Sequence, residues 1–342
     1  MKNPPSPVAT AATTPASTAR PTAGTRSLSR ILAELFPDSS AVEGERALEL
    51  SGAATEPPRL ISATIIEGHE LRARRIFEAP AVGFAAFLDG KQDSVVEMYR
   101  PGGIPIVRGR VGAVIRDRRN QRLFTWRHLV EEALYVPRAH VRPADWERLV
   151  ESGLAIRDTT DGEPDASEHP LALREAAIHR VQKDRELVEQ RLALEWCERE
   201  NRPLLIDGGI SGAEQVARAA CAIGVIKSHR TLYARGDALE IVLALGRAER
   251  SSVFLVTSPK RASVASWYLR MRDPRGHDPM WGLVRVEVAA PAAGAERDIG
   301  ARADEVSRWI LAEAAPVALP DGRWDKMVYG VRDCEEFLRA VM

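Results

Sequence analysis

The sequence predicts an α/β protein, a mixed sheet with helices packed on its faces, and three observations carry that expectation. Two apolar runs, Phe84-Ala85-Ala86-Phe87-Leu88-Asp89-Gly90 and Pro203-Leu204-Leu205-Ile206-Asp207-Gly208-Gly209, each lead into Asp-Gly. Runs of this length read as buried strands, with the Asp at the strand end and the Gly allowing a sharp turn after it. Between them, Leu171 to Arg199 holds strong helix formers and neither Pro nor Gly, so a long helix is expected. Beyond the second run, helical and strand-like segments alternate, which places helices against a sheet.

Taken in order, Met1 to about Arg26 is rich in Ala, Thr, Pro and Ser. It cannot bury enough apolar surface to offset the entropy of ordering, so residues 1–26 are expected to be a disordered tail. Residues 27–59 read as a short amphipathic helix, Ser27 to Phe36, stopped by Pro37-Asp38, and a linker. Residues 60–342 read as the folded domain. After the first Asp-Gly run, Val95 to Arg100 and Ile104 to Arg116 read as strands joined by a Pro101-Gly102-Gly103 turn, a β-meander. Arg108, Arg110, Arg116, Arg118, Arg119 and Arg122 concentrate positive charge there. They either protect a solvated strand edge from aggregation or form a wall of a groove that tracks phosphates. Asp158 to Glu168 is polar and acidic, an exposed loop. Ser211-Gly212-Ala213-Glu214 reads as a capping box opening a short helix. Strands are expected at Ile223–Lys227, Val253–Val256, Ser263–Met271 and Leu283–Val288, and helices at Asp237–Arg247, Ala301–Ala314 and Asp333–Val341.

Of the 342 residues, 45% are hydrophobic and 28% charged, and 48 basic residues balance 48 acidic ones. Those fractions are ordinary for a soluble globular protein. A net charge of zero gives no support for nucleic-acid binding, although a local basic groove is compatible with it. Cys197, Cys221 and Cys334 are far apart and show no CxxC spacing, which argues against a disulfide framework or a zinc site and fits a reducing cytoplasm. No run approaches the ~18 apolar residues of a membrane span, so no membrane partner is expected. The N-terminus carries no hydrophobic secretory core. The sequence holds no GxxxxGK[ST], HExxH or GxSxG, so neither a P-loop motor nor those hydrolase centres are expected. Chemistry, if present, falls to carboxylates.

Two Asp residues at neighbouring strand ends would point at one spot, an arrangement that holds divalent metal; the other reading is two ordinary turn residues. A first strand with an Asp, a helix with a Glu and a later strand with a second Asp describe the RNase H-like arrangement. Two Mg²⁺ or Mn²⁺ ions about 4 Å apart need several anionic oxygens around them, and hard cations prefer oxygen ligands. On the long helix, Ala177, Val181, Val188 and Leu192 form the expected buried stripe. Glu175, Glu186, Glu189 and Glu195 are the helix candidates, with Glu186 and Glu189 adjacent at the margin of that stripe.

In this ordered set of motifs the chain resembles the NurA nucleases, RNase H-like enzymes that work with HerA-type translocases at DNA ends. Phe87-Leu88-Asp89-Gly90 looks like the family's first motif, and Glu189-Gln190-Arg191-Leu192-Ala193-Leu194-Glu195 like its Glu-bearing helix. Leu204-Leu205-Ile206-Asp207-Gly208-Gly209-Ile210 is similar to its second Asp-Gly strand, and Ile223 to Ser228 to the strand whose Lys follows it. Trp267 to Arg272 and Leu283 to Glu287 resemble its late paired strands. The resemblance spans about Val82 to the C-terminus. It implies Asp89, Glu189 and Asp207 as catalytic metal ligands with Glu186 as the second choice on the helix, and Mn²⁺ (or Mg²⁺), two ions, as cofactor. It also implies single-strand endonuclease and 5′-to-3′ exonuclease activity, DNA end resection in double-strand break repair, a homodimer and a hexameric HerA-type ATPase partner. Such a protein is expected in the cytoplasm, associated with the nucleoid. Lys227 is placed near the scissile phosphate, or else is a solvated strand-end lysine. Tyr268, with Trp267, stacks on bases or packs in the core; Arg108, Arg110 and Arg270 are the expected phosphate contacts. The sequence departs from the family at Lys91, where a Ser is usual, and at the C-terminal His, where Val331-Arg332-Asp333-Cys334-Glu335 stands. Asp333 is there either a fourth metal ligand or the cap of the last helix. Those departures leave a second reading open, a catalytically decayed RNase H-like nucleic-acid-binding or adaptor protein.

Overall fold

The computed structural model describes residues 28–41, 57–160, 168–292, 296–314 and 328–342. The tail 1–26, residues 27 and 42–56 of the 27–59 segment and most of the acidic loop lie outside the described residues. Within the 27–59 segment, Leu28–Leu35 is helical and buries Leu32 in one cluster with Phe36, Met98, Ile106 and Leu149.

The centre of the molecule is a 13-stranded mixed sheet. Its first three principal strands, β1 (Ala86–Arg100), β2 (Ile104–Arg119) and β3 (Arg122–Val136), form an antiparallel meander. The 30-residue helix α1 (Pro170–Arg199) follows. The chain then returns as β4 (Leu204–Asp207), which pairs parallel with β1, and after the short helix α2 (Glu214–Arg218) as β5 (Ala222–Ile226), parallel with β4. The order across the sheet is therefore β3-β2-β1-β4-β5, an RNase H-like core. A second half extends it: β6 (Phe254–Ser258), β7 (Arg261–Arg270) and β8 (Leu283–Ala289) are antiparallel, and β8 closes onto β5.

Alternation along β1 and β4 sorts the core into two layers, because successive strand side chains face opposite ways. Ala86, Leu88, Leu204 and Ile206 pack with Ala177, Val181, Val188 and Leu192 of α1, the stripe expected from the sequence. Phe87 and Leu205 face the other way, toward α3 (Ile299–Glu313) and α4 (Tyr329–Val341), where Val306, Ile310, Val331 and Leu338 are buried.

Several expectations change. Asp89-Gly90 is not a turn: β1 runs straight through it, with Asp89 paired to Val114 and Gly90 to Ala113. The expected strand ending at Gly90 and the one from Val95 are one element. Strand β3 was not expected, since its N-terminal half is largely exposed and lacks a clean apolar alternation. The turn before it, Asn120-Gln121, has φ of 51° and 61°, a left-handed pair for which Asn-Gly is the recognisable signal; Gln hides it. Ser211 is buried and caps nothing, and α2 begins at Glu214 after Ala213. The last helix starts at Tyr329, four residues before the expected Asp333.

Candidate metal centre

Asp89 and Asp207 meet because of register. The β1–β4 pairing ends at Leu88↔Ile206, so the next residue on each parallel strand is an Asp. Asp207 closes β4, and the chain leaves through Gly208 at φ 136°, a conformation side chains rarely adopt. Gly224 on β5 lets this exit pass, since a Cβ there would lie 2.7 Å from the Gly208 carbonyl oxygen. Just beyond the end of β5, Lys227 Nζ sits 2.8 Å from Asp207 Oδ1.

A third carboxylate comes from α4. Oxygens of Asp89, Asp207 and Glu335 all lie within 4.8 Å of one another. The fourth, Glu189, arrives from α1 on the other side of β1. It fits there because residue 90 has no side chain: a Cβ at Gly90 would overlap the Glu189 carboxylate. Arg185, one helical turn before Glu189, donates to its Oε1 at 2.7 Å.

The electrostatics follow from burial first and crowding second. Burial pushes the Asp89 carboxyl up to about 8, with Asp207 and Glu189 adding repulsion, against Lys227 and the Gly90 N–H, which donates to Asp89 Oδ1 at 2.8 Å. Burial likewise pushes Glu189 up to about 7, with Glu186 and Asp207 raising it and Arg185 opposing. Two carboxyls, Asp89 buried and Glu189 nearly so, are thus held far from their ordinary range at one place in the sheet, an arrangement that an added cation relieves.

The other expected residues go to different places. Glu186 accepts from Gln182 Nε2 at 3.0 Å and lines, with Glu189, a cavity beside Asp207. Asp333 lies inside α4, is not its cap, and accepts from Arg116 Nε at 2.5 Å. Two residues along a helix is a rotation of about 200°, so the carboxylate that reaches Asp89 and Asp207 is that of Glu335 and not Asp333. Arg108 pairs with Glu97 at 2.5 Å, and Arg110 donates to the carbonyls of Val341 and Met342. Arg118 and Arg119 pair with Glu313 and Asp117. The arginine run mostly ties the fold together.

Tyr268 and Arg270 are corrected outright. Both are fully buried. The Tyr268 hydroxyl accepts from the Tyr233 N–H at 2.8 Å, and the Arg270 guanidinium donates to the carbonyls of Leu243, Leu245 and Pro279. Neither can stack on a base or meet a phosphate, because β7 is a central strand covered on both faces. Trp267 is also buried, donating to Ser307 Oγ. The cations that line the cleft over the carboxylates are Lys91, Arg185 and Arg339. Sequence reasoning missed Glu335, Arg185 and Arg339. Glu335 had a usable signal, since Val331, Cys334 and Leu338 make the buried stripe of α4 and Glu335 sits at its margin, as Glu189 does on α1.

No protein-family model matches the chain, and no curated protein matches its sequence. Among solved structures, the chain is similar to the NurA nuclease from Sulfolobus solfataricus, at 11% identity and a TM-score of 0.40, over 77% of this chain and 85% of that one. It is also similar to the catalytic domain of human endonuclease V, at 13% identity and a TM-score of 0.27, over 91% and 94%.

Proposed function

We propose that this chain is a divalent-metal-dependent nuclease whose centre is built from Asp89, Asp207, Glu335 and Glu189. The observation that carries the reading is the convergence of three carboxylates within 4.8 Å at the middle of an RNase H-like sheet, with the fourth, Glu189, beside Gly90. The donor set fits Mn²⁺ or Mg²⁺: every donor is a carboxylate oxygen, the ligand hard cations prefer, and burial, with neighbouring carboxylates adding to it, holds Asp89 and Glu189 above their ordinary range. Bound there, such ions would supply a nucleophilic water at neutral pH and offset charge on a phosphodiester.

The chain's own groups have separate tasks. Asp89, Asp207 and Glu335 hold the ions. Glu189, set beside Gly90 and held by Arg185, adds the fourth carboxylate to the centre. Lys227 fixes the orientation of Asp207 and adds a positive charge on the side where negative charge develops on phosphate. Arg185 holds Glu189, and Arg339 and Lys91 line the approach. The substrate in this reading is single-stranded DNA and DNA ends, cut endonucleolytically and from 5′ to 3′ in end resection, by a homodimer served by a HerA-type hexameric ATPase.

A second reading, a decayed nucleic-acid-binding protein, is favoured by one observation: Lys227 and Arg185 already pair with Asp207 and Glu189. Cleavage of end-labelled single-stranded DNA in Mn²⁺ separates the two. The nuclease reading predicts cutting by the wild type that is lost in Asp89→Asn and in Asp207→Asn. DNA binding with no cutting, with and without the ATPase ring, would leave the adaptor reading.

A further inference from the structure

Beside the carboxylate cleft lies a second cavity of about 170 Å³, and Arg185 and Asp207 line both. Its floor is apolar, formed by Ala193, Ile206 and Val216, and its wall includes Gly209 and Gly212. A Cβ at Gly212 would approach Gln190 Nε2 to 2.9 Å, so a side chain there would push the Gln190 amide aside. Two polar groups face this cavity without partners. Among the described residues the Gln190 side-chain amide makes no hydrogen bond and the Arg261 guanidinium makes no ion pair, yet both line it.

The chemistry of the walls selects the occupant. Glu186, Glu189 and Asp207 border the cavity with Arg185 as the inner cation, already paired with Glu189, and Arg261 exposed at the rim; that balance disfavours a phosphate inside. An apolar floor with one amide suits a flat neutral ring with a polar edge. A cavity of about 150 Å³ already admits a six-membered ring, and a carboxamide offers one donor and one acceptor side by side, the pattern that pairs with a base edge. Arg261 is exposed at the rim, where a sugar-phosphate backbone would run.

We propose that this cavity receives one nucleobase of the strand being cut, turned out of its stack while its phosphodiester lies over the carboxylates, with Gln190 reading the base edge. The inference rests on the nuclease reading and deepens it. A base that must leave its stack does so most easily in a single strand, so the pocket itself selects unpaired substrate and gives the cut site a base preference.

The test compares two end-labelled single strands, cut by the full chain in Mn²⁺, identical except for an abasic residue at the principal cut position. The expected ratio of intact to abasic cleavage is about tenfold or more, the scale of losing one base contact. Ala213→Leu, which fills the cavity from its wall, and Gln190→Leu, which removes the amide, are each expected to bring that ratio toward one, with folding checked by thermal melting. Gln190→Leu also flattens the preference among the four bases. A wild-type ratio near one overturns the proposal, and so does a tenfold ratio that neither variant lowers; both outcomes leave the nuclease reading standing. No cutting of either strand overturns the nuclease reading and this proposal with it.

Discussion

Asp89 is a carboxyl that folding makes hard to ionise, buried in the sheet with Asp207 and Glu189 pressing on it. Such a residue costs stability unless a bound cation offsets its charge. Asp89→Asn is therefore expected to raise the melting temperature of the metal-free protein, by about 1–2 kcal/mol of stability at neutral pH, while abolishing cleavage. An unchanged or lower melting temperature would remove the crowding argument. Asp89 and Asp207 were legible in the sequence because each follows an apolar strand run, and Glu189 because it borders a buried helical stripe. Tyr268 and Arg270 misled for a physical reason. Aromatic and Arg side chains serve bases and phosphates on a surface and serve packing or carbonyl capping inside, and only the position of β7 between β6 and β8 decides which.

At the scale of elements, the site depends on a missing side chain. The Gly90 position in β1 leaves the gap into which α1 sends Glu189. Gly90→Ala is expected to displace a flexible carboxylate and leave the backbone intact, so the melting temperature changes little. Cleavage falls by about tenfold to a hundredfold, as misplaced catalytic groups do; full activity would place Glu189 outside the mechanism. The sequence showed Asp-Gly and suggested a turn, because a glycine used for space and a glycine used for a turn look alike until a partner across the strand is known. Helix α4 carries Glu335 and is anchored by Leu338 and by the contact of Gly330 with Phe87. Leu338→Ala is expected to destabilise by about 2–4 kcal/mol and to lower metal affinity, read by calorimetric titration with Mn²⁺.

At the scale of the whole molecule, the added strands are fastened by charge. Arg250 is buried, and its guanidinium donates to Glu67 at 2.7 Å and to Asp304 of α3 at 2.6 Å, joining the segment before β1 to the far half of the sheet. Burial alone would raise the Glu67 carboxyl, but the Arg250 guanidinium and the Val253 N–H hold it below its ordinary value. A lowered carboxyl contributes stability above its unfolded value and loses it as pH falls through the folded one. Glu67→Gln is thus expected to cost about 2 kcal/mol at pH 7, with the gap to the wild type closing below about pH 4 in melting curves; a gap constant with pH would mean the pair contributes no charge stabilisation. This fastening was invisible in the sequence, since Glu67 and Arg250 are brought together only by the assembled sheet. The α/β class and the order of its main elements were visible, because apolar strands and one uninterrupted helix declare themselves locally.

Which carboxylates share the centre is tested by one comparison: bound Mn²⁺ per chain, together with the rate of single-strand cleavage, in the wild type, Glu335→Gln and Asp333→Asn. The nuclease reading predicts that Glu335→Gln loses metal and at least about tenfold in rate, while Asp333→Asn, which removes one of several Arg116 partners, retains both. Loss with Asp333→Asn and none with Glu335→Gln would contradict the arrangement of the site.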